Sequence, residues 1–223
     1  MSWLRAVYDA VNDHGAVVET GRFRESLDPR WIGEALEATG TASIRRRRLP
    51  AEQVVWLVLG MALFANQSIK EVLERLGLLP QGATSIAPSS MTEARYRLGA
   101  EPLAWLFRKV AATWGEQLES PGYQGLQLYA VDGTSLRVLE TEENVAEFGK
   151  PGGRNGAGDS GYAQVRVVAL MNLSNRILRD VGFGSIKTGE NTFATQLFDS
   201  VPSGSLTLLD RGLSSFKNLS QIH

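Results

Sequence analysis

Apolar residues recur at roughly helical spacing through the first half of the chain and gather into short runs in the second half. Trp3, Leu4, Val7 and Val11 share a face behind a capping Ser2, and Gly15 closes that segment. Asp28-Pro29 is a start signal, since the carboxylate can accept from free amides and the proline ring already holds helical φ. Trp31, Ile32 and Leu36 follow on one face, and Gly40 ends the segment. Pro50 opens a third helix, apolar nearly all round from Val54 to Phe64 and therefore the expected core of this half. Two capping boxes come next, Ser68 with Glu71 and Ser90 with Glu93. The first predicts a helix bearing Ile69, Val72, Leu73 and Leu76 up to Gly77; the second predicts a short helix ending at Leu98 and Gly99. After Pro102, the positions of Leu103, Leu106, Phe107, Val110 and Trp114 predict a longer helix. Ser120-Pro121-Gly122 breaks the pattern, which divides the chain into a helical domain over 1–122 and a second domain over 123–223.

Past Gly122, runs over Leu126–Val131, Val165–Met171, Ile177–Phe183 and Leu206–Leu209 predict strands, with a turn at Asn172-Leu173-Ser174-Asn175. Thr188–Val201 carries Phe193, Ala194, Leu197, Phe198 and Val201 at helical spacing, and Pro202 ends it. The Gly-rich segment Lys150–Gly161 reads as a hairpin loop, because it lacks the setting and the Gly-Lys-Ser/Thr ending of a phosphate cradle. The expected fold is thus an α-helical N-terminal domain followed by an incomplete α/β ribonuclease-H-like domain. In the latter, three strands form an antiparallel meander and a helix crosses over, so that the fourth strand lies parallel beside the first.

That order makes Asp132 and Asp210 the candidate chemistry. Each follows a strand, and the two strands are expected to be parallel neighbours, whose C-terminal ends are where open α/β sheets gather ligands. Adjacent carboxylates suit a hard divalent cation, and such a site can activate a water or a 3′-hydroxyl for attack on a phosphodiester. Asp before Gly at a strand end is also a common turn device, so a structural role stays open for each residue.

Composition and charge narrow the field. Hydrophobic residues at 43% and charged residues at 21% are ordinary for a globular chain. There is no cysteine and only two histidines, His14 and His223, so catalysis must rest on carboxylates, hydroxyls, Lys or Arg. The longest strongly apolar run, Val54–Ala65, is 12 residues, too short to span a bilayer, and no secretory signal pattern opens the chain. The expectation is a cytoplasmic protein with no membrane partner. Net charge is −1, with basic and acidic residues balanced 14 to 14 before Gly122 and 9 to 10 from there on, so nucleic-acid binding must come from local clusters. Arg45, Arg46, Arg47 and Arg48 form one cluster. Arg95 and Arg97 lie on the second member of a helix-turn-helix-like segment, Ser68–Leu98. The alternatives are a solvated charge run for the first and an ion-pair face with Glu93 for the second.

Tyr129-Ala-Val-Asp-Gly-Thr-Ser-Leu-Arg-Val138 resembles the first-aspartate motif of the IS4-type insertion-sequence transposases, and Leu208-Leu-Asp-Arg-Gly-Leu213 resembles the second. Gly161-Tyr-Ala-Gln-Val-Arg166 and Gly189-Glu190 resemble the segments between them. Arg46-Arg-Arg-Leu-Pro-Ala51 through Leu76, and Met91-Thr-Glu-Ala-Arg-Tyr-Arg-Leu-Gly99, resemble the N-terminal domain. The resemblance implies a DNA transposase that uses Mg²⁺ or Mn²⁺, with the first two catalytic acids at Asp132 and Asp210. It also implies double-stranded DNA as partner, both transposon terminal repeats and target, and allows a homodimer on DNA. The family's third acid is a Glu on a later helix, within a signature of Tyr, Arg, Glu and Lys. The expectation is that these 223 residues stop short of it and are inactive alone. Glu190 is no substitute, since it precedes the second Asp at the start of the crossover helix. The alternative function is a catalytically dead DNA-binding remnant that competes for transposon ends.

Overall fold

A computed structural model of the chain describes Glu25 and residues 27–42, 49–79, 86–118, 122–152 and 161–222. The expected helix behind Ser2, the run Arg45–Arg48 and most of the Gly-rich loop lie outside these residues. The chain divides into two compact units, with the division between Lys109 and Val110.

In the first unit, Asp28 caps α1 (Pro29–Ala38), accepting from the Arg30 amide at 2.9 Å, with Pro29 in the first turn. Ile32, Ala35 and Leu36 are its buried face. The next helix, α2 (Ala51–Leu63), buries Val54, Val55, Trp56, Leu57 and Gly60 and packs against α1, α3 and α4, which is why its sequence is apolar almost all round. Ser68 and Glu71 form the reciprocal capping box of α3 (Ile69–Arg75). That helix closes on Gly77 at φ +61°, where the amides of Gly77 and Leu78 reach back to the carbonyls of Glu74 and Leu73. This left-handed closure satisfies two helix-end carbonyls at a conformation that glycine alone adopts without strain.

The start expected at Ser90 is corrected. α4 (Pro88–Leu98) begins three residues earlier, with Ala87 at the cap position and Pro88 in its first turn. The ring of Pro88 fixes helical φ and has no amide to satisfy, so it starts the helix and leaves Ser90 inside it. A long helix, α5 (Glu101–Gln117), follows, with Leu106 and Ala111 buried.

The second unit holds a four-stranded mixed sheet in the order β3-β2-β1-β4. β1 (Gln127–Arg137) pairs antiparallel with β2 (Gln164–Asn172), and β2 pairs antiparallel with β3 (Leu178–Ser185). α6 (Glu142–Phe148) lies between β1 and β2, and α7 (Glu190–Leu197) crosses over to β4 (Ser205–Leu209) through a short 3-10 turn, Phe198–Ser200. β4 runs parallel to β1, and α8 (Phe216–Ile222) follows. The turn between β2 and β3 is built on buried Asn172, whose Oδ1 accepts from the amides of Ser174 and Asn175 at 2.8 and 3.3 Å.

Alternation along the strands decides which face is the core. Tyr129 and Val131 of β1 and Val168 and Leu170 of β2 pack with Phe193, Ala194, Leu197 and Phe198 of the crossover segment and with Leu213. Gly182 and Gly184 of β3 leave room for the Phe193 ring; a Cβ on Gly184 would lie 3.0 Å from its Cζ. The intervening Phe183 is 62% exposed.

β1 is longer than expected. Its run does not stop at Val131 but continues through Asp132 and Gly133 to Arg137, because β2 pairs with it all the way from Tyr129 to Arg137. The parallel ladder with β4, in contrast, covers only Gln127–Val131. No helix of the described residues is long and apolar enough to cross a membrane.

Candidate active site

Two strands position the candidate acids. Val131 and Leu209 are the last pair of the parallel ladder, so Asp132 and Asp210 are the next residues on neighbouring strands. Asp132 therefore does not end its strand, as the sequence suggested; it sits inside β1, at the point where β4 leaves it. Both residues are exposed.

Each carboxylate turns one oxygen to the backbone. Asp132 Oδ1 accepts from the Gly133 amide at 2.8 Å. Asp210 Oδ1 accepts from the Leu213 amide at 2.8 Å, and the Asp210 carbonyl accepts from Ser214 Oγ at 2.8 Å. Asp210 thus has a structural task, holding the turn that delivers Leu213 into the core. The second carboxylate oxygen of each residue remains available for an ion.

Strand alternation puts the Asp132 side chain on the sheet face away from Tyr129 and Val131, and Gly133 on the face towards α7. Glu190, the first residue of α7, reaches that second face. A Cβ on Gly133 would meet Glu190 Cδ at 2.6 Å and Cγ at 3.0 Å. Arg166 of β2 pairs with the same carboxylate, Nη1 to Oε2 at 3.7 Å, and its Nη2 donates to the Ile186 carbonyl at 3.3 Å. Glu190 therefore lies behind the strand that carries Asp132. Among the described residues no group of three acidic, histidine or cysteine side chains gathers closely enough to hold a metal.

A network of two asparagines, unmarked by any motif, ties the site's elements together. The buried Asn218 of α8 donates through Nδ2 to the Leu213 carbonyl at 2.8 Å and to Asn191 Oδ1 at 2.7 Å. Asn191 of α7 donates to the Gly212 carbonyl at 3.4 Å. The turn after Asp210 is thus held from both flanking helices.

The candidate DNA contacts divide three ways. Arg45, Arg46, Arg47 and Arg48 lie outside the described residues. Arg95 turns back on α2, its Nη1 3.9 Å from Met61 Sδ. Arg97 reaches Glu93 one turn away at 4.0 Å, a loose exposed pair that contributes little to stability and leaves the guanidinium accessible. Tyr96, between them and 83% exposed, was not singled out from the sequence.

Known proteins resemble this chain along most of its length. Residues 17–108 match the family described as insertion element 4 transposase N-terminal. Transposase InsG for insertion sequence element IS4, from Escherichia coli (strain K12), is 37% identical over 190 residues, covering 85% of this chain and 42% of that protein. Putative transposase InsZ of the same organism is 34% identical over 193 residues, covering 85% of this chain and 62% of InsZ. The chain thus spans about half the length of these two relatives. No solved structure matches it. With the family match over residues 17–108 and both relatives aligned over 85% of its residues, the chain is similar over most of its length to the IS4-type insertion-sequence transposases.

Proposed function

We propose that this chain carries the DNA-binding region and the first two acids of a metal-dependent transposase, which cleaves phosphodiesters at transposon ends and transfers the strands to target DNA. One observation carries the reading: Val131 and Leu209 are the last rung of the parallel ladder, so Asp132 and Asp210 are the next residues on neighbouring strands. The sheet order β3-β2-β1-β4 with α7 crossing over supports a ribonuclease-H-like catalytic domain.

The residues fit a hard cation in part. Two exposed carboxylates, each with one oxygen committed to an amide, offer oxygen ligands to Mg²⁺ or Mn²⁺. The ion, when bound, supplies activation of a water or 3′-hydroxyl and charge stabilisation at phosphorus. Asp132 and Asp210 would hold it, and the Asn191–Asn218 network holds the Asp210 turn in place. Double-stranded DNA is the partner, met by Arg45–Arg48 and by Arg97, with Arg95 flanking; a homodimer on DNA and a cytoplasmic setting belong to the same reading.

Two carboxylates alone do not fix the octahedral geometry that Mg²⁺ demands, so a further oxygen ligand would be needed to complete the site.

Mn²⁺ titration of the chain, followed by water-proton relaxation, tests the site. Asp132→Asn and Asp210→Asn should each remove most of the enhancement. Equal affinity in both variants and the unaltered chain would sink the shared site.

A further inference from the structure

Glu190 has a place in the fold that neither a metal ligand nor an ordinary helix-end acid explains. It opens α7, where a carboxylate suits the helix dipole, yet the cap position is Gly189 and Glu190 points at β1. Its carboxyl fills the space beside Gly133 that any side chain there would need. Arg166 holds it from β2, while Arg166 Nη2 is itself fixed on the Ile186 carbonyl. Arg166 Nε is buried and has no hydrogen-bond partner among the described residues.

We propose that Glu190, held by Arg166, is a positioning residue for Asp132: it packs behind Gly133 and fixes the peptide from which the Asp132 carboxylate projects. The proposal rests on the reading of Asp132 as a metal ligand. The linkage is short. The Gly133 amide donates to Asp132 Oδ1, so any movement of Gly133 against Glu190 turns the Asp132 carboxylate. Beyond Val131 the strand has lost its parallel partner β4, so β1 is supported there by β2 on one edge and by Glu190 from behind. Groups that orient metal-binding carboxylates from outside the ligand set commonly set affinity.

The test uses the full chain and two readouts, Mn²⁺ affinity and amide hydrogen exchange at Gly133, which needs no metal. Gly133→Ala and Glu190→Ala should each weaken Mn²⁺ binding about tenfold. The double variant should be no worse than either single one, because the new methyl fills the space the carboxyl left. Arg166→Met should behave like Glu190→Ala, and Arg166→Lys, which can keep the ion pair, should recover most of the loss. Exchange at Gly133 should rise in Glu190→Ala while Tyr129 and Val131 exchange as before. Additive losses in the double variant, or unchanged Gly133 exchange in Glu190→Ala, would overturn the proposal. If the unaltered chain binds no Mn²⁺, or Asp132→Asn binds it equally well, the metal reading fails and the exchange result alone decides the positioning role.

Discussion

Val131 of β1 and Leu209 of β4 are paired in the last rung of a parallel ladder, and each is followed at once by an aspartate. From that rung β1 runs on beside β2, while β4 turns back through Asp210 to Leu213. The two acids stand where the strands part, each one residue past the last rung of the ladder. Asp210 has two tasks there, and substitutions separate them. Asp210→Asn keeps an Oδ1 acceptor for the Leu213 amide and should lose metal with little change in stability. Asp210→Ala should lose both, with a further destabilisation of about 1 kcal/mol in urea unfolding.

DNA binding should follow the arginines. Duplex affinity of the chain is expected to fall steeply with salt, and changing Arg45–Arg48 to Ala should reduce the slope of log affinity against log salt by up to about four units. Arg97→Ala should remove about one more, whereas Arg95, turned onto Met61, should matter less. An unchanged slope in the four-Ala variant would place that run away from DNA.

Acid should loosen the helix starts. The Arg30 side chain, and then its amide, hold the Asp28 carboxyl below the ordinary range. Hydrogen bonds from Ser68, its amide first, do the same for Glu71. Carboxyls whose folded pKa is depressed contribute stability that is complete above the unfolded pKa, near about 4, and is lost as pH falls through the folded value. Thermal midpoints should therefore decline below about pH 4. Asp28→Asn, which still caps but does not titrate, should make the decline shallower; an identical decline would show that Asp28 is not among its causes.

Two phenylalanines report on the two faces of the sheet. Phe193 is buried against Gly182 and Gly184, so Phe193→Ala should cost about 3–5 kcal/mol in urea unfolding. Phe183, on the same strand as those glycines and 62% exposed, should tolerate alanine within about 0.5 kcal/mol. Similar losses at both positions would mean that the second face is also a packed core.

Legibility in the sequence tracked the range of the interaction. Asp28-Pro29 and Ser68 with Glu71 carry their helix starts within a few residues, and the structure has both. Ser90 with Glu93 misled because Pro88 supplied an earlier start. The short helices α6 and α8 went unread: α6 has a local signal, Thr141 capping the Asn144 amide, but no apolar stripe to draw attention to it. In α8, Asn218 is buried by contacts to Leu213 and Asn191, which no spacing rule anticipates. The extension of β1 past Asp132 depends on β2 lying alongside, and the Arg166–Glu190 pair joins β2 to α7 across the sheet. Strand order, by contrast, followed from the succession of element types, three strands, a crossover helix and a fourth strand, so the strands bearing Asp132 and Asp210 were legible as neighbours while their supports were not.

The proposed site would hold one divalent ion between Asp132 and Asp210. Iron-directed backbone cleavage tests it most directly: Fe²⁺ is allowed to occupy the site of the chain, ascorbate and peroxide are added, and the cut peptides are mapped. The predicted result is two clusters of cuts, one around Asp132-Gly133 and one around Asp210–Gly212, both suppressed by excess Mg²⁺ and both lost in either Asp→Asn variant. Cuts at only one of these segments, or at both with one persisting after the opposite aspartate is changed, would contradict a shared ion.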